Sequence, residues 1–370
     1  MSWKNRLIKA LLWVFSPEAT RPTHEKTPSR FLIVSTTGLG DTLWGTPAIR
    51  SLRQSFPEAH IAILTSEVGR DVLKHNRHID ELFVLSSSAC FSLIRHFFTL
   101  KKRNFDAILL FHTSQRLILP YCALLEAVEI IGTEGINKDL DFLITTPMKA
   151  KHQHEIARRL EIVQQVGARV TEMTLEMTFR KDEEEAARRF LSGHGVADHI
   201  PIIGLHPGAK NAFKQWPAEG FIEVGKRLTQ HLGCQVIVSG DQSEALLVLE
   251  IASKIPGAIP IAGELGIAPF TALLKKMGLF ITNDTGPMHL AFSVGTPTVA
   301  LFGPTDPSLC GPFHADQVKV LAAKKTCSPC LKKKCTDPFC LLQIGPTAVY
   351  DAAIDLFYQT SALKLDSATF

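Results

Sequence analysis

The sequence Asn283-Asp284-Thr285-Gly286-Pro287-Met288-His289-Leu290-Ala291 comes directly after a short apolar run and before a helix-like segment. Open α/β sheets bind their ligands in loops of this kind, at the carboxyl ends of buried strands. Asp284 or Thr285 can cap the following helix, and Gly286 lets the backbone approach a ligand closely. The loop therefore predicts an anion held at a helix start, with His289 within one turn of it. A capped helix with a surface histidine is the alternative.

Short apolar runs alternate with amphipathic segments on both sides of this loop. Runs without polar alternation are typical of strands buried on both faces, and their alternation with helices predicts parallel sheets. The runs fall at 31–34, 60–64, 82–85, 107–111 and 129–131, and again at 202–205, 235–238, 259–262, 279–281 and 298–302. A charged helix, 181–191, separates the two series. The fold is therefore predicted to be α/β, with two Rossmann-like doubly wound sheets whose strand ends face a central cleft.

The charge of the chain is concentrated at its N-terminus. Residues 1–30 carry six Lys/Arg and two Asp/Glu, so the remaining residues are formally neutral and do not suggest nucleic-acid binding. Residues 1–16 form a basic amphipathic pattern that suits a helix in a membrane interface. A tail packed on the first domain is an equal alternative. The apolar patch is too short for a signal peptide or a membrane-spanning helix.

Eight cysteines occur in the chain, and the absence of a secretion signal predicts a reducing, cytoplasmic location. Four of them form the pattern Cys327-x2-Cys330-x4-Cys335-x4-Cys340. Four thiolates could complete a tetrahedral structural zinc site. The x4 spacings are not standard for zinc, however, and a reduced cysteine-rich loop is the alternative.

A glycine turn, Gly38-Leu39-Gly40-Asp41, follows the first strand. It supplies only half of a dinucleotide fingerprint, and no acidic residue ends the second strand to hold a ribose. The turn presents a carboxylate instead. Asp41 can cap the next helix or act as a general base facing the cleft.

Two loops in the second half carry groups suited to a nucleotide. Lys210 and Lys214 lie four residues apart in a glycine-containing loop, which suits phosphate contacts or simply a basic surface. Glu244 follows the next strand and can accept hydrogen bonds from a ribose. An acidic first helical turn is the alternative interpretation.

Three separated motifs together resemble glycosyltransferase family 9, the ADP-heptose:lipopolysaccharide heptosyltransferases. The resemblance covers roughly residues 30–345 and is carried by Gly38–Asp41 with Pro47–Arg50, by Pro207-Gly208 with Lys214-x-Trp216-Pro217, and by Asn283–His289 running into Gly303–Pro307. It implies a GT-B fold, inversion at the anomeric carbon and no required metal or cofactor. It also implies Asp41 as the catalytic base in an acceptor-side loop with Gly38 and Gly40. The implied donor-binding residues are Lys214, Glu244, Asp284, Thr285, Gly286 and His289, with Lys210 in a looser part of the pattern.

The resemblance implies transfer of heptose from ADP-heptose to the inner core of lipopolysaccharide by an enzyme associated peripherally with the inner membrane. Its implied organisation is an N-terminal segment and linker (1–30), an acceptor-side domain (31–178), a nucleotide-sugar-binding domain (179–345) and a C-terminal helix and tail (346–370). Another nucleotide sugar or glycolipid acceptor is the nearest alternative. An NAD-dependent oxidoreductase and a non-catalytic nucleotide-sugar-binding protein are the others.

The acceptor side has weaker signals. Residues 91–103 combine apolar side chains with a Lys-Lys-Arg end, which suits either a basic amphipathic helix touching anionic lipid or a core helix with a charged end. His112, Ser114 and Arg116 follow a predicted strand and are candidates for lining an acceptor pocket.

Overall fold

The structure is a computed structural model that describes residues 27–86, 89–113, 115–313, 317–324, 327, 330, 335 and 339–367. The chain divides into two compact units between Thr174 and Leu175, whereas the sequence prediction put a boundary at 178/179. The amphipathic pattern predicted for residues 1–16 lies outside the described residues. Among those residues, no helix has both the length and the apolar character needed to span a bilayer.

The described residues of the first unit form a parallel sheet of six strands in the order β3-β2-β1-β4-β5-β6. Its strands are β1 (Arg30–Ser35), β2 (His60–Ser66), β3 (Glu81–Leu85), β4 (Ala107–His112), β5 (Glu129–Thr133) and β6 (Thr146–Met148). The helices are α1 (Leu39–Leu43), α2 (Thr46–Ser55), α3 (Glu67–Leu73), α4 (Ala89–Lys102), α5 (Ile118–Leu124) and α6 (Glu155–Gln164).

The described residues of the second unit form another parallel sheet of six strands, in the order β12-β11-β10-β7-β8-β9. Its strands are β7 (Ile202–His206), β8 (Gln235–Gly240), β9 (Ile259–Ala262), β10 (Leu279–Asn283), β11 (Thr298–Phe302) and β12 (Val318–Ala322). The helices are α7 (Lys181–Gly193), α8 (Ala218–Leu232), α9 (Ala245–Lys254), α10 (Ile267–Lys276), α11 (Gly286–Ser293), α12 (Pro307–Cys310) and α13 (Pro346–Ser367).

The ten predicted apolar runs all become strands, eight inside a sheet and two, β3 and β9, at a sheet edge, which confirms the doubly wound parallel-sheet fold class. β6 and β12, at the two other edges, were not predicted. Neither has a fully buried residue, so neither requires a continuous apolar run, whereas β3 and β9 each bury apolar side chains.

Strand order reverses once in each sheet, and this reversal positions the functional loops. In the first sheet the chain turns back between β1 and β4, and in the second between β7 and β10. At such a point the loops after the two neighbouring strands leave in opposite directions and open a crevice at the carboxyl edge. Three of the loops singled out from the sequence follow β1, β7 and β10, at these reversals, and the loop with Glu244 follows β8, next to β7.

Candidate active site

In the first unit, Asp41 occupies the third position of α1, directly after β1. Its Oδ2 accepts a hydrogen bond from the Gly38 backbone N–H at 3.3 Å. The carboxylate therefore caps its own helix, as one of the two predicted interpretations requires. The side chain is also 26% exposed, so one face of the carboxylate remains accessible from solvent. The capping role and the proposed role as a base are compatible in this geometry.

A buried arginine lies on the other side of this carboxylate. Arg159 of α6 is fully buried, and its Nη2 lies 3.6 Å from Asp41 Oδ1. Its Nη1 donates to Glu155 Oε2 at 2.5 Å and to the Glu155 carbonyl at 2.9 Å. The guanidinium also lies over the Trp44 ring, 5.4 Å from its centroid. Arg159 is thus held by the Glu155 carboxylate, the Glu155 carbonyl and the Trp44 ring, and it in turn fixes the position of Asp41.

Glu155 balances the charge of two arginines. Arg158 donates from Nη2 to Glu155 Oε2 at 2.7 Å and to the Phe111 carbonyl at 2.9 Å. Burial opposes ionisation of Glu155, but Arg159 and Arg158 outweigh it and hold the pKa of this carboxyl below its usual value. With Asp41 included, the group carries two positive and two negative charges. A buried arginine is tolerated here because its charge is compensated.

His112 ends β4, the strand beside β1. Its carbonyl accepts a hydrogen bond from Thr36 N–H at 3.1 Å. Burial lowers the pKa of its imidazole, and the nearby Asp41 opposes this shift only in part. The ring is therefore uncharged near neutral pH. Arg116 donates to the Lys138 carbonyl at 3.0 Å, and Ser114 lies outside the described residues.

In the second unit, the side chain of Asn283 joins the two loops at the strand reversal. Its Nδ2 donates to the Pro207 carbonyl at 2.8 Å, and its Oδ1 accepts the Trp216 backbone N–H at 3.1 Å. Asn283 is fully buried. One amide therefore fixes the start and the end of the loop after β7 to the end of β10.

The next residue forms the main ion pair of the site. Lys214 Nζ donates to Asp284 Oδ2 at 2.5 Å, and Thr305 Oγ1 donates to the same oxygen at 2.6 Å. Asp284 is 5% exposed. Three loops, after β7, β10 and β11, thus meet at one buried carboxylate. The structure thus brings together Lys214 and Asp284, two of the residues that the resemblance implied for donor binding.

The start of α11 is only partly buried. Thr285 occupies the N-cap position, but its hydroxyl donates to the Asn283 carbonyl at 3.3 Å and caps no N–H group within the described structure. The prediction of a side-chain cap by Asp284 or Thr285 is therefore wrong. The Gly286 N–H, followed by Pro287, which has no N–H, is thus not capped by Thr285, and the start of a helix in this state suits an anion. His289 lies one turn later and is only 3% exposed, so it is not a surface histidine.

Glu244 packs against the loop after β7, the loop that also contains Lys214. A Cβ atom placed on Gly208 would lie 2.2 Å from the Glu244 carboxylate, so this side chain packs directly against the glycine backbone. Glu244 Oε2 accepts the Asp241 N–H at 3.0 Å, and Oε1 accepts no hydrogen bond from the described residues. Burial raises the pKa of this carboxyl above its usual value.

Lys210 is exposed and makes no ion pair with any described residue. It lies in the same loop as Lys214 but is not tied to the carboxylate. The two lysines therefore differ in their contacts: Lys214 is paired with Asp284, and Lys210 is exposed without an ion pair to the described residues.

The four-cysteine pattern is described only in part. Cys327 is exposed, Cys330 and Cys335 are partly buried, and Cys340 is buried. Within the described residues, no group of three or more His, Cys, Asp or Glu side chains is arranged to hold a metal ion. The structure therefore lends no support to the predicted structural zinc site.

The sequence interpretation missed several residues that shape the site. Three of them, Asn283, Gly208 and Thr305, lie inside the quoted motifs. Their importance is visible only from their contacts in the folded structure, which the sequence does not show. Glu155 and Arg159 belong to an ordinary charged amphipathic helix. Their i, i+4 spacing gives no sign that they reach the loop after β1.

We predict that Asn283→Ala lowers the free energy of unfolding by about 1–3 kcal/mol, because it leaves the Trp216 N–H and the Pro207 carbonyl buried without a partner. Urea denaturation followed by tryptophan fluorescence measures the change. Asn211→Ala is the matched control in the same loop, since no side-chain hydrogen bond of Asn211 is present in the described structure. Equal losses for both variants would show that Asn283 does not join the loops.

Comparison with known proteins places this geometry in a family. Residues 93–339 match the family model of glycosyltransferase family 9 (heptosyltransferase). The chain is 30% identical over 286 residues to lipopolysaccharide heptosyltransferase 3 of Escherichia coli K12, covering 72% of this chain and 80% of that relative.

Solved structures share the fold. A glycosyltransferase family 9 protein from Veillonella parvula superposes with a TM-score of 0.79 and 25% identity, covering 91% of this chain and all of that one. The E. coli heptosyltransferase WaaC with ADP superposes with a TM-score of 0.67 and 18% identity, covering 87% of this chain and 98% of that one. The chain is therefore a glycosyltransferase and belongs to glycosyltransferase family 9, the heptosyltransferase family.

Proposed function

We propose that this glycosyltransferase transfers a heptose from ADP-heptose to the inner core of lipopolysaccharide, with inversion at the anomeric carbon. The observation that carries the proposal is the grouping of Lys214, Asp284 and the uncapped start of α11 beside Glu244. A diphosphate matches the charge of Lys214 and the dipole at the start of α11, and a ribose matches the Glu244 carboxylate. The lipopolysaccharide heptosyltransferases among the relatives, and the ADP in the WaaC structure, support the choice of donor and acceptor.

Donor binding is assigned to the second unit. The diphosphate accepts hydrogen bonds from the N–H groups at Thr285 and Gly286, and Lys214 Nζ compensates its charge. Glu244 accepts hydrogen bonds from the nucleoside hydroxyls. His289 supports the first turn of α11 from within, and the exposed Lys210 adds a weaker electrostatic contact.

Departure of ADP is assisted by the same groups. Negative charge develops on the bridging phosphate oxygen as the bond to the anomeric carbon breaks. Lys214 and the start of α11 belong to loops that are already joined through Asn283 and Asp284, so little reorganisation is expected. This assignment needs no metal ion, and we expect activity to persist in the presence of a chelator.

Proton transfer is assigned to the first unit. Asp41 takes the proton of the acceptor hydroxyl as that oxygen attacks the anomeric carbon from the side opposite ADP. One displacement with no covalent intermediate inverts the configuration. Arg159 fixes the carboxylate from behind through Oδ1, and Gly38 N–H fixes Oδ2, so the accessible face of Asp41 keeps a constant direction.

The acceptor implies a cytoplasmic enzyme that works at the inner membrane. A glycolipid acceptor is anchored in the bilayer, and a nucleotide sugar is supplied from the cytoplasm. The same fold and mechanism with another nucleotide sugar or glycolipid acceptor is the second candidate. The residues that contact the sugar itself decide between the two.

We predict that Asp41→Asn and Asp41→Ala lower kcat about 10²–10⁴-fold, because the attacking hydroxyl loses its base. Donor affinity stays unchanged, since the donor is bound by the second unit. Transfer of heptose from ADP-heptose to a truncated lipopolysaccharide measures kcat, and calorimetry with ADP measures affinity. Glu58→Gln, an exposed carboxylate of the first unit, is the control. Undiminished transfer by the Asp41 variants would remove this residue as the base.

A second prediction concerns pH. Because burial raises the pKa of Glu244, this carboxyl takes up a proton at a higher pH than an ordinary glutamate does. Protonation removes the negative charge that strengthens hydrogen bonds from nucleoside hydroxyls, so ADP affinity should fall as pH is lowered toward that pKa. Calorimetric titration of ADP across the acidic range measures the effect. In Glu244→Gln the affinity should be lower at neutral pH and should lose this pH dependence; a dependence that persists in the variant contradicts the assignment.

A further inference from the structure

Helix α4 exposes three large apolar side chains along one face. Phe91 is 67% exposed, Ile94 is 70% exposed and Phe98 is 71% exposed. Their spacing of three and four residues places them in a single stripe on the helix surface. Contiguous exposed apolar stripes are uncommon on soluble domains and mark interaction surfaces. We call these three residues the α4 stripe.

The opposite face of α4 is firmly packed, so the direction of the stripe is fixed. Leu93 and Leu100 belong to the core of the first unit. The ring of Phe97 packs against Tyr121 with centroids 5.8 Å apart, and His96 Nε2 lies 3.1 Å from the Val84 carbonyl. Rotation of the helix to bury the stripe would remove these core contacts. The stripe therefore needs a partner outside the unit.

Basic side chains flank the stripe, and the sequence of α4 contains no acidic residue. Arg95 and Lys102 are exposed and form no ion pair with any described residue. Lys101 pairs with Glu126 at 2.9 Å, and Arg103, just beyond the helix, pairs with Glu81. The outward face thus presents apolar groups together with uncompensated positive charge.

We propose that α4 lies flat on an anionic lipid bilayer, with Phe91, Ile94 and Phe98 inserted among the acyl chains and with Arg95 and Lys102 at the phosphates. Apolar insertion combined with attraction to anionic headgroups is the general mode of interfacial helices. A second copy of the chain fits this face poorly, because a two-fold contact would bring the same positive charges together. The reason for such docking rests on the proposed function, since it brings the first unit to a membrane-anchored acceptor.

Vesicle binding tests the proposal directly. The triple variant Phe91→Ser, Ile94→Ser, Phe98→Ser of the full chain should bind vesicles of phosphatidylglycerol and phosphatidylcholine about tenfold or more weakly than the unchanged protein. The matched control is Leu246→Ser, Leu249→Ser, Leu342→Ser, which removes three exposed apolar side chains from the second unit. Equal binding by the α4 variant and the unchanged protein, or equal losses in both variants, would overturn the proposal.

Charge is tested in the same assay. Arg95→Glu with Lys102→Glu should weaken binding to phosphatidylglycerol vesicles at low salt and change little with phosphatidylcholine alone. Arg189→Glu with Lys226→Glu, two exposed basic residues of the second unit, is the matched control. A loss that is the same in both pairs would show a general charge effect and contradict a specific face.

Insertion at α4 itself is read by fluorescence, which separates it from any contribution of residues 1–16. Phe98→Trp should gain quenching by lipids brominated on their acyl chains beyond that of the unchanged protein, whereas Leu249→Trp should not. Absence of added quenching at position 98 overturns the proposal. The proposal is also overturned if the unchanged protein is a dimer and the triple serine variant is a monomer, because the α4 stripe would then bind a second copy of the chain.

Heptose transfer to a water-soluble acceptor is measured as well, so that failure of this proposal can be distinguished from failure of the proposed function. The α4 variants should retain that activity while losing activity on acceptor embedded in vesicles. If the unchanged protein binds vesicles through α4 but transfers no heptose, the proposed function fails and the docking surface stands.

Discussion

The ion pair between Lys214 and Asp284 joins the loops at the strand reversal of the second unit. A carboxylate that is 5% exposed is costly to bury without a compensating charge, and Lys214 and Thr305 supply that compensation from two other loops. In the proposed function, a bound diphosphate shares Lys214 with Asp284, because this lysine is already paired in the structure. The ion pair thus fixes three loops before the donor arrives and reduces the reorganisation that binding requires.

The first unit uses the same arrangement for a different purpose. There too a carboxylate follows a strand at the reversal of a parallel sheet, and a basic side chain fixes it from behind. The difference lies in exposure: Asp284 is enclosed, whereas the Asp41 side chain is 26% exposed and keeps one accessible face. An enclosed carboxylate suits a structural role in holding a donor loop. An accessible, oriented carboxylate suits proton transfer.

Apolar runs predicted ten of the twelve strands, because strands that bury side chains on both faces need continuous apolar sequence. The edge strands β6 and β12 were missed because none of their residues is fully buried, whereas the edge strands β3 and β9 bury apolar side chains and were predicted. The motifs located Asp41, Lys214 and Asp284, because loops after buried strands are short and their polar residues have few other roles. Arg159 was missed, as only the packing of α6 against the first sheet brings it to Asp41. The sequence also did not predict whether the α4 stripe is exposed, because residues 91–103 fit a core helix as well as an interfacial one.

The anomeric configuration of the product is the most direct test of a donor held by one unit and a base supplied by the other. Nuclear magnetic resonance can determine it for the product formed from ADP-heptose and a truncated lipopolysaccharide acceptor. A single displacement assisted by Asp41 predicts a product whose configuration is opposite to that of the donor. A product with retained configuration would require a different mechanism and would contradict the assignment of Asp41 as the base of a single displacement.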